Sequence, residues 1–425
     1  MKSRMTMRGL FLLLLSLVFN VNDAFINYKF ITSLSSTSIS SSTISTSTST
    51  SSSTSIPSSF VFVTCAAGAE KKVKEEMNRN HPNFKFAFNR KGLLTFKGTT
   101  DEVKDDVKIT SIFGRHVGKS IGMYTLEETI DIARKLSEDV YQSKRLRLHV
   151  WGRELGGLKT EHPQFVKDRS TFVLNIKDKL HGYDDIFLPK NEHDRSDHND
   201  VVFNVIVGDV DEKLFCGITR NHDNPFPGSI IPLTLPNDAP SRAWLKIEEA
   251  MQYVKLKYSD DVEFLPGEIS LEIGSAPGGA CHSLLNRGLV VFGVDPLPPD
   301  RQHAPIVKRH KNFHEIKGTL QSVTRALLPK KCHWLLCDAN ISPKEALSKL
   351  TLITNHYKDD LKGFFYTVKL NDELWDNEKD LLTYLDSLDG TLRQEVENVE
   401  DVVFKQLSSN RKEILCFVKM KKQSS

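Results

Sequence analysis

The sequence predicts an α/β protein: a C-terminal Rossmann-like domain, with a doubly wound sheet and an antiparallel last strand, preceded by two small α+β units. Three observations carry this. From Ser241 onward, short apolar runs alternate with helix-like stretches, the grammar of a mainly parallel sheet covered on both faces. The last two runs, Val402–Leu407 and Glu413–Val418, are separated only by Ser408–Lys412, a connection so short that it requires an antiparallel pair. At 425 residues the chain also exceeds the size at which one hydrophobic core stops growing, so more than one domain is expected.

In chain order, the first segment reads as an address. Met1–Phe19 opens with basic residues and continues into the apolar run Gly9–Phe19, too short to span a bilayer and suited to a signal-peptide core, so residues 1–24 are expected to be a signal peptide. Of residues 32–59, 23 are Ser or Thr, too little apolar surface to offset ordering entropy, so residues 25–59 are expected to be disordered. A signal peptide followed by an acid-poor Ser/Thr segment, with Phe25 directly after Ala24, resembles the two-part presequence of plastids of secondary origin. That resemblance implies delivery to a plastid stroma, with no stable membrane association of the mature form. Secretion with a mucin-like stalk, or a mitochondrial destination, is the alternative. Cys65, Cys216, Cys281, Cys332, Cys337 and Cys416 are scattered, form no CxxC pair and sit in or beside apolar runs, which points to a reducing compartment and away from a zinc site. The sequon Asn340-Ile341-Ser342 adjoins a candidate catalytic residue, where a glycan would be harmful.

Residues 60–124 form the first expected unit, with a strand at Phe60–Cys65, a helix over Ala69–Asn80 and a hairpin across Phe84–Phe96. Residues 125–222 form the second: a helix near Leu126–Gln142, a strand at Leu146–Val150, a helix near Phe165–Leu180, a polar loop Leu188–Asn199, and strands at Val201–Val207 and Lys213–Thr219. The Pro-rich stretch 223–240 reads as a linker to the domain over 241–425.

Charge narrows the possible partners. The formal net charge is +3, and the leader supplies it through Lys2, Arg4, Arg8 and Lys29 against Asp23. The remaining chain is balanced, so a nucleic-acid surface must be a local patch. Two stretches offer one: Lys144–Arg153, which alternates basic and apolar residues on an expected strand, and Lys308–Lys311. Either is equally readable as solvated surface. His193 and His198 lie in an acidic polar loop and read as exposed residues, not metal ligands.

Ligands of open α/β sheets bind outside the carboxyl ends of the strands. The apolar runs there terminate in Asp295, Asp338 and Lys369, and the reversed last strand starts with Glu413 at the same edge. The strand Glu268–Ile273 leads into the turn Gly274, Ser275, Ala276, Pro277, Gly278, Gly279, where backbone can approach a ligand closely before a helix N-terminus. Glycine-rich turns also serve packing, and a nicotinamide-binding fold would show a similar one. Asp295 follows Gly274 at a spacing suited to the ribose hydroxyls of an adenosine ligand.

These residues resemble the FtsJ-type (RrmJ-type) ribose methyltransferases, whose Lys-Asp-Lys-Glu tetrad maps onto Lys246, Asp338, Lys369 and Glu413, and whose cofactor loop matches Gly274–Gly279. The stretch Leu235–Ala250 is similar to the junction in RlmM-type enzymes, which methylate a cytidine ribose of large-subunit rRNA and carry ferredoxin-like and THUMP units ahead of the catalytic domain. The resemblance covers about Phe60–Lys421. It implies S-adenosylmethionine as cofactor, ribosomal RNA as partner, and cofactor contacts from Gly274–Gly279, Asp295 and Asp338. Ribose methylation of the cap or of messenger RNA and a non-catalytic, RNA-binding role in ribosome assembly are the rival functions. Ala280 stands where the family has an aromatic residue, and Lys317 near a position where an Asp is common.

The expected chemistry is general-base catalysis. Lys369, as a neutral amine, accepts the proton of a 2′-hydroxyl. A free lysine with a pKa of about 10.4 is mostly charged at neutrality, and neighbouring Lys246 is expected to lower that value. Asp338 positions Lys369 and faces the sulfonium; Glu413 orients Lys246 or the ribose.

Overall fold

The computed structural model describes residues 59–155, 163–209, 211–220 and 223–422, so the expected leader lies outside the described residues apart from Ser59. Among the described residues the strands form two seven-stranded sheets.

The N-terminal sheet contains β1 (Phe60–Cys65), α1 (Glu70–Asn80), β2 (Lys85–Arg90), β3 (Leu93–Lys97), β4 (Gly114–Tyr124), α2 (Leu126–Lys135), β5 (Arg147–Gly152), α3 (Pro163–Leu180), β6 (Val201–Val207) and β7 (Leu214–Arg220) in chain order. A capping box starts α2: Thr125 accepts from the Glu128 N–H while the Glu128 carboxylate accepts from the Thr125 N–H. The strand order is β2-β3-β1-β4-β7-β6-β5, antiparallel throughout except for β5 beside β6. The expected boundary at residue 124 therefore falls at the end of a shared strand. β4 pairs with β1 on one side and β7 on the other, so the two expected units are joined in one sheet. The stretch expected as a linker is also packed down: Ile231 is buried and Ser229 Oγ lies 2.8 Å from His116 Nδ1.

The C-terminal domain contains α4 (Ala243–Tyr258), β8 (Ile269–Ile273), α5 (Gly279–Asn286), β9 (Val290–Asp295), α6 (Pro305–Lys308), β10 (Phe313–Lys317), β11 (Trp334–Cys337), α7 (Pro343–His356), β12 (Gly363–Lys369), α8 (Asp372–Asp376), α9 (Glu378–Glu395), β13 (Val399–Lys405) and β14 (Glu413–Met420). The order is β10-β9-β8-β11-β12-β14-β13, with the first five parallel and β14 antiparallel to both neighbours. Both faces are buried: along β11, Trp334 and Leu336 join one core while Leu335 and Cys337 join the other. The chain reverses its winding between β8 and β11, the position at which such sheets open a ligand crevice. All six cysteines are buried thiols. No helix among the described residues is long and apolar enough to cross a membrane.

The two sheets are tied together beside the site. Lys405, at the end of β13, donates from Nζ to the carbonyls of Ser111 (2.9 Å) and Gly114 (2.5 Å), and the Gln406 N–H donates to the Ile112 carbonyl. Burial pulls the Lys405 pKa down to about 8. Trp375 on α8 stacks edge-on against Phe113 and carries the Lys72 ammonium 4.1 Å from its ring centre.

Candidate active site

Three strand ends and the start of one helix bring the four residues of the expected tetrad to one place. Lys369 closes β12, Glu413 opens β14, and the two are direct register partners. Asp338 directly follows β11, the parallel neighbour of β12. Lys246 lies in the first turn of α4. The Lys369 Nζ donates to Asp338 Oδ1 (2.5 Å) and Glu413 Oε1 (2.7 Å). Lys246 Nζ lies 2.6 Å from Glu413 Oε2 and 3.6 Å from Asp338 Oδ2. Two ammoniums and two carboxylates thus alternate in a closed ring, with each side chain about a quarter exposed.

The electrostatics correct one expectation. Burial pulls the Lys369 pKa down, but the Asp338 and Glu413 carboxylates outweigh it, leaving the pKa above the ordinary lysine value. The lowering expected from Lys246 does not prevail, since Glu413 pairs with both amines. Burial alone would raise the Glu413 pKa, yet hydrogen bonds from Lys246 and Lys369 bring it below the usual carboxylate range. Lys369 therefore starts as an ammonium and must release a proton before it can accept one.

The glycine turn lines a cavity of about 410 Å³ that reaches Asp338. Gly274 has φ +81°, and a Cβ there would sit 2.8 Å from the Ala339 Cα, so the turn after β8 can lie against the backbone after β11 only with glycine. The Ala276 N–H donates to Asp295 Oδ2, and Ala276–Pro277 is a cis bond. Gly274, Ser275, Ala276, Pro277 and Gly279 line the cavity together with Asp295. Gly278 instead caps α5, and a Cβ on it would meet Val307. Beyond β10, residues 318–321 form the far wall, which leaves Lys317 outside the lining.

Several contributors escaped the sequence reading. Glu272 on β8 is buried against the cavity and accepts a hydrogen bond from the Cys281 thiol. Burial pushes its pKa up to about 8. The signal available was an acid inside the apolar run Leu-Glu-Ile ahead of the turn. Asp295 is held from three sides, by the N–H groups of Ala276 and Leu297 and by the Arg301 guanidinium at 3.0 Å. His303, also buried, bridges Ser275 Oγ and Glu315 Oε2 at 2.8 Å each, fixing the glycine turn to β10.

The expected phosphate-tracking strand turns out otherwise. Arg147 and Arg153 on and beside β5 are buried and paired, with Asp200 and Glu212 respectively, and every residue of β5 before Gly152 is buried. A larger cleft, about 1130 Å³, opens on Lys246, Lys369 and Glu413. The N-terminal sheet supplies part of its wall through Ala66–Gly68 and Glu154, and the connection between β13 and β14 supplies another part.

Cavity and ring together suit an adenosyl cofactor. Backbone turns and a buried acid line the space, and the Asp338 carboxylate stands at the junction with the ring as a counter-charge for a cation. Comparison with known proteins agrees. Residues 239–379 match the family model of the FtsJ-like methyltransferases. The chain is 34% identical over 116 residues to ribosomal RNA large subunit methyltransferase M of Laribacter hongkongensis, covering 27% of this chain and 30% of that protein. It is 34% identical over 123 residues to the protein of that name from Photorhabdus sp. (strain Az29), covering 28% and 31%. The chain thus spans less than a third of the length of these curated relatives. Among solved structures, TrmN from Thermus thermophilus shows 11% identity and a TM-score of 0.32 over 85% of this chain and 99% of that one. Residues 239–379, which hold the glycine turn, Lys246, Asp338 and Lys369, are thus similar to the FtsJ-like methyltransferases, and the match identifies S-adenosylmethionine as the cofactor.

Proposed function

We propose that the chain transfers a methyl group from S-adenosylmethionine to a ribose 2′-hydroxyl of RNA, with large-subunit ribosomal RNA as the substrate. The observation that carries this reading is the closed ring of Lys246, Asp338, Lys369 and Glu413 beside the glycine-lined cavity. The matches to proteins named as large-subunit rRNA methyltransferases support the substrate class.

The cofactor supplies an already activated methyl group, so the protein's task is to orient two reactants and take up one proton. Gly274–Pro277, Gly279, Asp295 and Asp338 would hold the cofactor. Asp338 and Glu413 fix the Lys369 Nζ between them, so the amine stays aimed at one point. Once Lys369 is neutral, it accepts the 2′-hydroxyl proton. Lys246, held by Glu413, donates to the ribose oxygen as negative charge develops there.

The N-terminal sheet is proposed to combine ferredoxin-like and THUMP-like elements that hold RNA, and residues 1–59 to direct the chain to a plastid stroma. The leader's composition supports the latter, and imaging a fluorescent fusion with and without residues 1–59 tests it.

Methyl transfer is tested by incubating the protein with tritiated S-adenosylmethionine and ribosomal RNA. The wild type labels the RNA. Lys369→Ala lowers the rate by about 10²- to 10⁴-fold, the span of a lost general base, while still binding cofactor. Lys369→Arg is equally inactive, since a guanidinium cannot accept the proton. Full labelling by Lys369→Ala refutes the assignment.

A further inference from the structure

The large cleft contains a second feature, separate from the ring. Helix α4 and its cap present three polar residues at helical spacing, Arg242, Lys246 and Glu249, on one face toward the cleft. Two of the three are satisfied, one by the β13–β14 connection and one by the start of β14. Glu249, buried, accepts from the Ser408 N–H and Oγ (2.8 and 2.6 Å) and from the Ser409 N–H (2.8 Å). Lys246 pairs with Glu413. Arg242 has no carboxylate partner among the described residues and makes no side-chain capping bond to the helix it precedes.

The connection itself repeats the pattern. Its backbone is pinned by Glu249, by the Asn410 side chain on the Leu407 N–H (3.1 Å), and by Gln406 Nε2 on the Arg411 carbonyl (2.7 Å). From this fixed turn Arg411 lines the cleft two residues before Glu413, and its guanidinium also lacks a carboxylate partner among the described residues. Lys412, by contrast, is tied to Asp372. Elsewhere arginines are commonly neutralised, as with Arg79, Arg90, Arg115, Arg134, Arg287 and Arg393. Two guanidiniums without a carboxylate partner among the described residues, one a helical turn before Lys246 and one two residues before Glu413, line the same cleft as the ring and offer it an anion-binding frame. Guanidiniums are suited to bidentate contact with phosphate.

We infer that Arg242 and Arg411 bind the phosphodiester groups next to the target ribose, and that the RNA enters this cleft as an unpaired strand lying between the N-terminal sheet and the ring. The inference rests on the RNA methyltransferase reading and adds the surface and the strand state that reading leaves open. The cleft, at about 1130 Å³, lies just above the usual range of pockets for small ligands. It accommodates a splayed-out nucleotide with its flanking phosphates, whereas a base-paired helix would have to remain outside.

The test is the salt dependence of binding of a short fluorescein-labelled single-stranded RNA, followed by anisotropy, to the wild type, Arg242→Ala, Arg411→Ala and the corresponding Lys variants. Each phosphate contact contributes about 0.7 to the slope of log affinity against log salt for single strands. Each Ala variant is expected to reduce the magnitude of the slope by about 0.7, with the Lys variants retaining it, S-adenosylmethionine affinity unchanged in all, and the matched duplex binding more weakly than the strand. An unchanged slope in both Ala variants overturns the inference, as does equal affinity for the duplex. Circular dichroism and cofactor binding identify a misfolded variant, and the Lys pair then decides: a slope lost in Lys variants that still bind cofactor also overturns it. Failure of the broader reading is distinct, because the wild type would then bind RNA without methylating it, or not bind it at all.

Discussion

Lys369 and Glu413 meet at 2.7 Å on a single rung of the antiparallel pair formed by β12 and β14, so sheet register itself places the proposed base beside its counter-charge. The consequence is a base that starts protonated. Burial lowers the Lys369 pKa, Asp338 and Glu413 raise it by more, and the net direction is up. Methyl transfer at fixed subsaturating RNA should therefore rise with pH as Lys369 loses its proton. Glu413→Gln removes one of the two raising charges, so the Lys369 pKa falls and the ascending limb of kcat/KM moves to lower pH, even though total activity drops. NMR titration of the Lys369 Nζ reads the same shift directly. A limb that does not move in the variant contradicts the arrangement.

How much of this was legible beforehand depended on whether a residue's role followed from its own position. Asp338, Lys369 and Glu413 end or begin apolar runs, so strand alternation exposed them. Lys246, on a helix, stood out only through family resemblance. Glu272, Arg301 and His303 act through contacts between separate elements, which no local pattern records. Strand β4 was overlooked because Gly114, Gly118 and Gly122 dilute its β signal. Those glycines answer to tertiary crowding: a Cβ on Gly118 would sit 2.4 Å from Thr219 Cγ2. Strand β10, at the sheet edge, buries only Phe313 and Ile316 and so read as polar connection. The basic strand β5 misled in the opposite direction, since Arg147 and Arg153 serve internal ion pairs.

Glu272 should make the fold lose stability as pH rises from the acid range to about 8. An unfolded glutamate ionises near pH 4.3, whereas in the folded protein burial holds the proton until about pH 8. Between those values the folded state binds more protons than the unfolded one, so stability falls as pH rises. Thermal unfolding followed across this interval should show Tm declining in the wild type and a flatter profile in Glu272→Gln. Identical slopes in the two proteins would remove the basis for a buried, protonated acid.

The Ser275–His303–Glu315 chain should act as one unit in cofactor binding. Breaking either link frees the same turn. Ser275→Ala and His303→Ala are each expected to weaken S-adenosylmethionine binding by roughly fivefold, the worth of about one hydrogen bond. The double variant should cost little more than either single change, because coupled residues are not additive. Calorimetry on the three variants measures this, and full additivity would show that His303 acts through some other contact.

The most direct measurement for the central claim is the position of the transferred methyl. RNA incubated with the protein and S-adenosylmethionine bearing a deuterated methyl group is digested to nucleosides and analysed by mass spectrometry. The expected product carries the label on ribose, as a 2′-O-methyl nucleoside, and it disappears with Lys369→Ala. Label on a base, or equal ribose label from the Lys369→Ala protein, would contradict the assignment of Lys246, Asp338, Lys369 and Glu413 to 2′-hydroxyl methylation.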